Sequence, residues 1–109
     1  MSQIETDCRT VKSQLDAGED FLLIDCREQR EYDAAKIEGA RLIPMGQIPE
    51  RLAELESHRD GLIVIHCHHG GRSLSVARWL KAQGFAQPLS MAGGIDEWSQ
   101  TIDPTVPRY

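Results

Sequence analysis

The chain has 109 residues, with 12 basic and 17 acidic side chains and a net charge of −5. That length suits one domain, residues 1–109, built on a single core covered on both sides. The acidic balance argues against nucleic acid as a partner, a hydrophobic content of 40% argues against disorder, and the longest apolar stretch, Gly61 to Ile65, is too short to cross a membrane.

In chain order, short apolar runs alternate with amphipathic segments, the pattern of a parallel α/β sheet. A short strand is expected over Ser2–Glu5. A helix follows from Thr6 or Asp7 to Ala17, with Val11 and Leu15 at helical spacing and Gly18 as its stop. Phe21 to Asp25 is a continuous apolar run ending in a carboxylate, which reads as a strand buried on both faces. Glu28 to Ala35 is a short helix, and Ala40 to Ile43 a strand closed by Pro44. Ile48 to Ser57 reads as a helix with Ile48, Leu52 and Leu55 on one face and a solvated charged face opposite. Leu62 to Ile65 is the most hydrophobic strand. Ser73 to Gln83 is helical, with Val76, Ala77 and Leu80 inward and Gly84 as cap. Leu89 and Ser90 form a last strand, Ile95 to Ser99 a helical turn, and the two-proline tail from Asp103 to Tyr109 is extended.

In open α/β sheets, sites form beyond the C-terminal ends of the strands. Two segments put polar residues there: Asp25-Cys26-Arg27-Glu28 and His66-Cys67-His68-His69-Gly70-Gly71-Arg72-Ser73. In the second, a cysteine leaves a buried strand, two glycines allow a tight turn, and Arg72 and Ser73 open a helix. Such a loop makes an anion cradle from backbone N–H groups, aided by the helix N-terminus. A thiol at its centre has a depressed pKa, and the thiolate is the nucleophile. Four residues separate Cys67 from Arg72, one fewer than in cysteine phosphatases. The smaller ring suits a single sulfur atom on Cys67 better than a tetrahedral phosphate.

These motifs resemble the rhodanese-like sulfurtransferase family, and the resemblance runs over nearly the whole chain. Leu23-Ile24-Asp25-Cys26-Arg27-Glu28 with Glu31-Tyr32 is similar to its "LIDVRE…EY" segment, and Ile37-Glu38-Gly39-Ala40 with Ile43-Pro44 to its "HIxGAxxIP" segment. Cys67 to Ser73 resembles its active-site loop, and Gly93-Gly94 with Trp98 its "GGxxxW" segment. The tail resembles those of rhodanese domains behind E1-like adenylyltransferases. The resemblance implies a three-layer α/β/α fold around a central, mainly parallel five-stranded sheet. It implies a ping-pong reaction: Cys67 takes the outer sulfur of thiosulfate or another sulfane donor as a persulfide, then passes it to cyanide, a thiol or a protein acceptor. The N–H groups of the loop His68, His69, Gly70, Gly71, Arg72 and Ser73 would hold the persulfide, Arg72 would offset donor charge, and Asp25 and Arg27 would brace the neighbouring loop. Lys36 stands where the family usually has histidine, and Cys26 where it usually has an apolar residue. A Cys26 close to Cys67 would resolve the persulfide as a disulfide; otherwise it is a buried structural residue.

Simpler readings compete. His66, His68 and His69 beside Cys67 suggest a metal site, but adjacent residues rarely point at one ion, so neither metal nor cofactor is expected. His68 and His69 then rim the pocket. Cys8 has no expected role, and Gly93-Gly94 is a turn with Trp98 as core packing. Three cysteines without a CxxC pair, and an N-terminus without signal-peptide regions, point to the reducing cytoplasm. Three functions stay open beside a silent interaction module: a sulfurtransferase, a protein-to-protein sulfur carrier partnering an E1-like adenylyltransferase or a cysteine desulfurase, and, disfavoured by loop length, a phosphatase or arsenate reductase.

Overall fold

Leu22, Leu23 and Ile24 are apolar at consecutive positions, so their strand needs cover on both faces. In the computed structural model, which describes residues 4–109, that strand lies inside a five-stranded sheet with all its residues buried. The strands are β1 (Glu5–Thr6), β2 (Leu22–Asp25), β3 (Arg41–Leu42), β4 (Leu62–His66) and β5 (Gln87–Met91). Their spatial order is β1-β5-β4-β2-β3, and every pairing is parallel. The α-helices are α1 (Cys8–Asp16), α2 (Gln29–Ala34), α3 (Gly71–Ala82) and α4 (Gly94–Thr101). Asp7 caps α1 by accepting from the Thr10 N–H at 2.8 Å, and a reciprocal Glu28–Glu31 capping box starts α2.

Alternation along the strands divides the core in two. Leu22, Ile24 and Cys26 join Ile63, Ile65 and Cys67 on one face, under Val76, Ala77 and Leu80 of α3. Leu23, Val64 and Met91 point the other way, against Val11 of α1 and Ile95 and Trp98 of α4. The result is the expected three layers. The register pairs Asp25 with His66, and the Cys26 N–H donates to the His66 carbonyl at 3.0 Å. Cys26 and Cys67 therefore come just after β2 and β4, at neighbouring positions on the same face.

Several segments differ from expectation. The helix expected from Ile48 to Ser57 is instead 3₁₀, at Met45–Gln47 and again at Leu52–His58. Pro49 lacks an N–H, and the exposed ion pairs Arg51–Glu54 and Glu56–Arg59 are spaced three apart, the spacing that eclipses side chains in a 3₁₀ helix. Ile48 and Leu55 are still buried. Of the strand expected at Ser2–Glu5, Ser2 and Gln3 lie outside the described residues, and β1 begins at Glu5. β5 and α4 run longer than expected. The tail makes a turn, with the Val106 N–H donating to the Asp103 carbonyl at 3.1 Å, and buries Val106. Among the described residues, no helix is long and apolar enough to cross a membrane.

Candidate active site

β4 delivers Cys67 to the C-terminal edge of the sheet, and the chain must then reverse into α3. Gly70 takes a φ of +121°, which only glycine adopts without strain, and serves as the N-cap residue of α3. The turn folds the loop round the Cys67 sulfur. The Gly70 N–H donates to Sγ at 3.1 Å and the Ser73 N–H at 3.4 Å, while Ser73 Oγ lies 3.4 Å from Sγ. Ser73 Oγ is held in turn by Ser90 Oγ at 2.7 Å, on β5. Cys67 is 1% exposed, yet its pKa is brought down to about 4. The neighbouring Cys26 thiol lowers it most, followed by the Ser73 hydroxyl and the Ser73 and Gly70 N–H groups; burial opposes them. Cys26 is pushed the opposite way, by that same contact and by its own burial, and stays a thiol.

The outside of the loop is tied down as well. The Ile95 and Asp96 N–H groups, in the first turn of α4, donate to the carbonyls of Cys67 at 2.9 Å and His68 at 3.0 Å. The two bonds fix the start of the loop, whose Gly70 and Ser73 N–H groups reach the sulfur. Gly93-Gly94 is thus more than a turn: it lets α4 dock against the loop backbone.

Arg72 grips Glu31 of α2 through two hydrogen bonds, 2.7 and 2.9 Å. The grip holds the Glu31 carboxyl well below the usual carboxylate range and raises the Arg72 pKa. Asp25 and Arg27, both wholly buried, form a second bidentate pair at 2.9 and 2.6 Å. Arg27 also donates to the carbonyls of Glu31 and Ala35. The Tyr109 hydroxyl links the pairs: it accepts from Arg27 at 2.8 Å and donates to Glu31 at 2.8 Å. The Tyr109 ring stacks on His68, which stacks on the exposed His69. Both histidines lie at the rim. His66 is buried 3.8 Å from Asp25; burial lowers its pKa, so it is neutral. Among the described residues, no three His, Cys, Asp or Glu side chains are grouped to hold a metal ion.

Cys67, the loop, Asp25 and Arg27 therefore come together at one edge of the sheet. Glu31, Ser90, Gly94 and Tyr109 join them unforeseen. Glu31 and Gly94 sit in motifs noted in the sequence, but Tyr109 carried no signal in the tail.

A family profile described as "Rhodanese-like domain" matches residues 7–101. The chain belongs to the rhodanese-like domain family. Among its relatives is a sulfurtransferase of Allochromatium vinosum, 35% identical over 94% of each chain. A putative sulfur carrier protein of Bacillus subtilis, YrkF, is 35% identical, over 87% of this chain and 50% of that one. An adenylyltransferase and sulfurtransferase of Zea mays, MOCS3-2, is 32% identical over 94% of this chain but only 22% of its own length. This rhodanese-like chain thus spans half or less of those last two relatives. The crystal structure of SSP1007 from Staphylococcus saprophyticus superposes with a TM-score of 0.80 at 26% identity, over 94% of this chain and 97% of that one. The fold is the family's, and the family's named members here are sulfurtransferases and a sulfur carrier.

Proposed function

We propose that the protein, one domain over residues 1–109, is a cytoplasmic sulfurtransferase carrying sulfane sulfur as a persulfide on Cys67. The single observation that supports this most is the Sγ atom centred on the Gly70 and Ser73 N–H groups, with its pKa drawn down to about 4. The thiolate attacks the outer sulfur of thiosulfate or a persulfide donor. The S–S bond of thiosulfate breaks, sulfite leaves with its electron pair, and a Cys67 persulfide remains. The loop N–H groups stabilise its negative charge. A thiolate, cyanide or a protein acceptor then takes the outer sulfur and restores the Cys67 thiolate. Asp25 and Arg27 position the neighbouring segment and touch no reacting atom. The unpaired Cys8, Cys26 and Cys67 fit a reducing compartment.

Arg72 bears on the alternatives. Four residues separate it from Cys67, one fewer than in cysteine phosphatases, so the ring suits a single sulfur atom better than a tetrahedral phosphate. Passage of sulfur to a protein acceptor is the second reading, favoured by the kinship with a putative sulfur carrier and with an adenylyltransferase and sulfurtransferase. Intact-mass spectrometry after exposure to thiosulfate tests the first: one added sulfur atom on the wild type and none on Cys67→Ser. No uptake from any sulfane donor would overturn it. Labelled sulfur passing to a protein acceptor faster than to cyanide would establish the carrier role.

A further inference from the structure

Two cysteines end up side by side at the sulfur site. β2 and β4 are adjacent and parallel, with Asp25 opposite His66, so Cys26 and Cys67 are the next residues on each chain. Both belong to the cluster under α3, so their side chains leave the sheet on the same face. Adjacent strands lie about 4.7–4.9 Å apart, within the roughly 4.4–6.8 Å between Cα atoms that a disulfide spans. The Cys26 N–H bonded to the His66 carbonyl keeps the two chains paired up to this point. Cys26 is wholly buried and Cys67 1% exposed, so the two thiols share one enclosed site.

We propose that Cys26 is a resolving cysteine, which converts an undelivered Cys67 persulfide into a Cys26–Cys67 disulfide with release of hydrosulfide. This rests on Cys67 carrying a persulfide. In the resting protein Cys26 is a thiol beside the Cys67 thiolate. Sulfur loading moves the negative charge from Sγ to the outer sulfur, one bond further out. The Cys26 proton passes to that outer sulfur, and the Cys26 thiolate attacks Cys67 Sγ. The bond between Sγ and the outer sulfur breaks, a Cys26–Cys67 S–S bond forms, and the outer sulfur leaves as HS⁻. One S–S bond replaces another, so no outside oxidant is needed. Two electrons from an external dithiol reopen the disulfide and restore the pair. The outcome is a second activity: the loaded protein releases sulfide with no outside thiol present, and a dithiol that reopens the disulfide lets the cycle repeat. The loop N–H donors come from the Gly70–Ser73 turn and the nucleophile from the neighbouring strand, so the two reach Sγ from different elements.

The test loads the full chain with thiosulfate, removes excess donor, and follows intact mass and free sulfide with time. Wild type is expected to gain one sulfur atom (about 32 Da), then fall to two hydrogens below the reduced mass, releasing one sulfide per chain, with a Cys26–Cys67 linked peptide after digestion. Cys26→Ala and Cys26→Ser are expected to keep the added sulfur, with a persulfide lifetime longer by on the order of tenfold or more. The serine variant retains a hydrogen-bond donor, so a long-lived persulfide in both variants separates resolution from mere positioning. If the wild type holds its sulfur as long as the variants and yields no linked peptide, this inference falls while the persulfide reading stands. If the wild type takes up no sulfur, both fall. Should neither variant fold, the linked peptide and the sulfide released by wild type decide the matter alone.

Discussion

A Cβ placed on Gly94 would stand 2.5 Å from the Cys67 carbonyl oxygen, and closer still to the carbonyl oxygen of His68. Both are backbone atoms fixed by the Ile95 and Asp96 N–H groups, so neither can swing aside. Gly94 also holds a φ of +59°. Gly94→Ala is therefore expected to push α4 off the loop and lose both hydrogen bonds. A loss of about 2–4 kcal/mol in urea unfolding and at least about a hundredfold in sulfur uptake is expected. Gly18→Ala is the control. Gly18 has a similar φ of +69° but nothing within 4 Å of the added carbon. It should lose about 1 kcal/mol and leave uptake unchanged. Equal loss of uptake in the two variants would refute the docking role.

The Cys67 thiolate sets a pH profile. Its pKa lies at about 4, far below an ordinary thiol, so the nucleophile is already formed at neutral pH. The alkylation rate of Cys67 is expected to be flat from about pH 6 to 8 and to fall as pH drops through about 4. Ser73→Ala removes one of the groups that lower the pKa and should move the fall upward. Cys26→Ala removes the largest of them and should move it further. Stopped alkylation read by peptide mass spectrometry at each pH measures this; a wild-type inflection near pH 8 would contradict it.

These two experiments probe parts of the molecule that the sequence disclosed unequally. The Leu22–Asp25 and Leu62–His66 strands were legible because buried parallel strands demand unbroken apolar runs, and Cys67 because a glycine-rich turn after such a strand has few uses. The adjacency of Cys26 was not legible, since it depends on β2 pairing β4 in one register. Glu31 and Arg72 are 41 residues apart, and Glu31 and Tyr109 are 78 apart. Contacts at such separations leave no periodicity to read. The Leu52–His58 segment reads as α-helix but is 3₁₀, because spacings of three and four residues put Ile48, Leu52 and Leu55 toward the core in either form, with Leu52 only partly buried.

Asp25 and Arg27 give a prediction that separates support from chemistry. Both side chains are wholly buried, so removing one leaves the other as an uncompensated charge. Asp25→Asn is expected to cost about 3–5 kcal/mol of stability, measured by urea unfolding. The folded fraction should still load sulfur on Cys67, because neither residue touches Sγ. Loss of loading in a variant that remains folded would give Asp25 a part in the reaction itself.

Glu31 ties α2 to the active-site loop, and its titration should be visible in stability. Its carboxyl is depressed in the folded state, first by Arg72, with help from the Glu28 N–H and the Tyr109 hydroxyl. A depressed carboxyl contributes stability that is fully present above its unfolded pKa, about 4.3, and is lost as pH falls toward the folded value. Glu31→Gln is therefore expected to be less stable than wild type at pH 7, by about 1 kcal/mol because Arg72 is partly solvated. Below pH 4 the two proteins should converge, since wild type loses what the variant already lacks. Tyr109→Phe keeps the stack on His68 but removes the hydroxyl that joins Arg27 to Glu31. It should fall between wild type and Glu31→Gln at neutral pH and keep most of the wild-type slope in acid. Unfolding midpoints from pH 3 to 8 measure all three. Parallel curves for wild type and Glu31→Gln across that range would mean that the carboxylate contributes nothing through its charge.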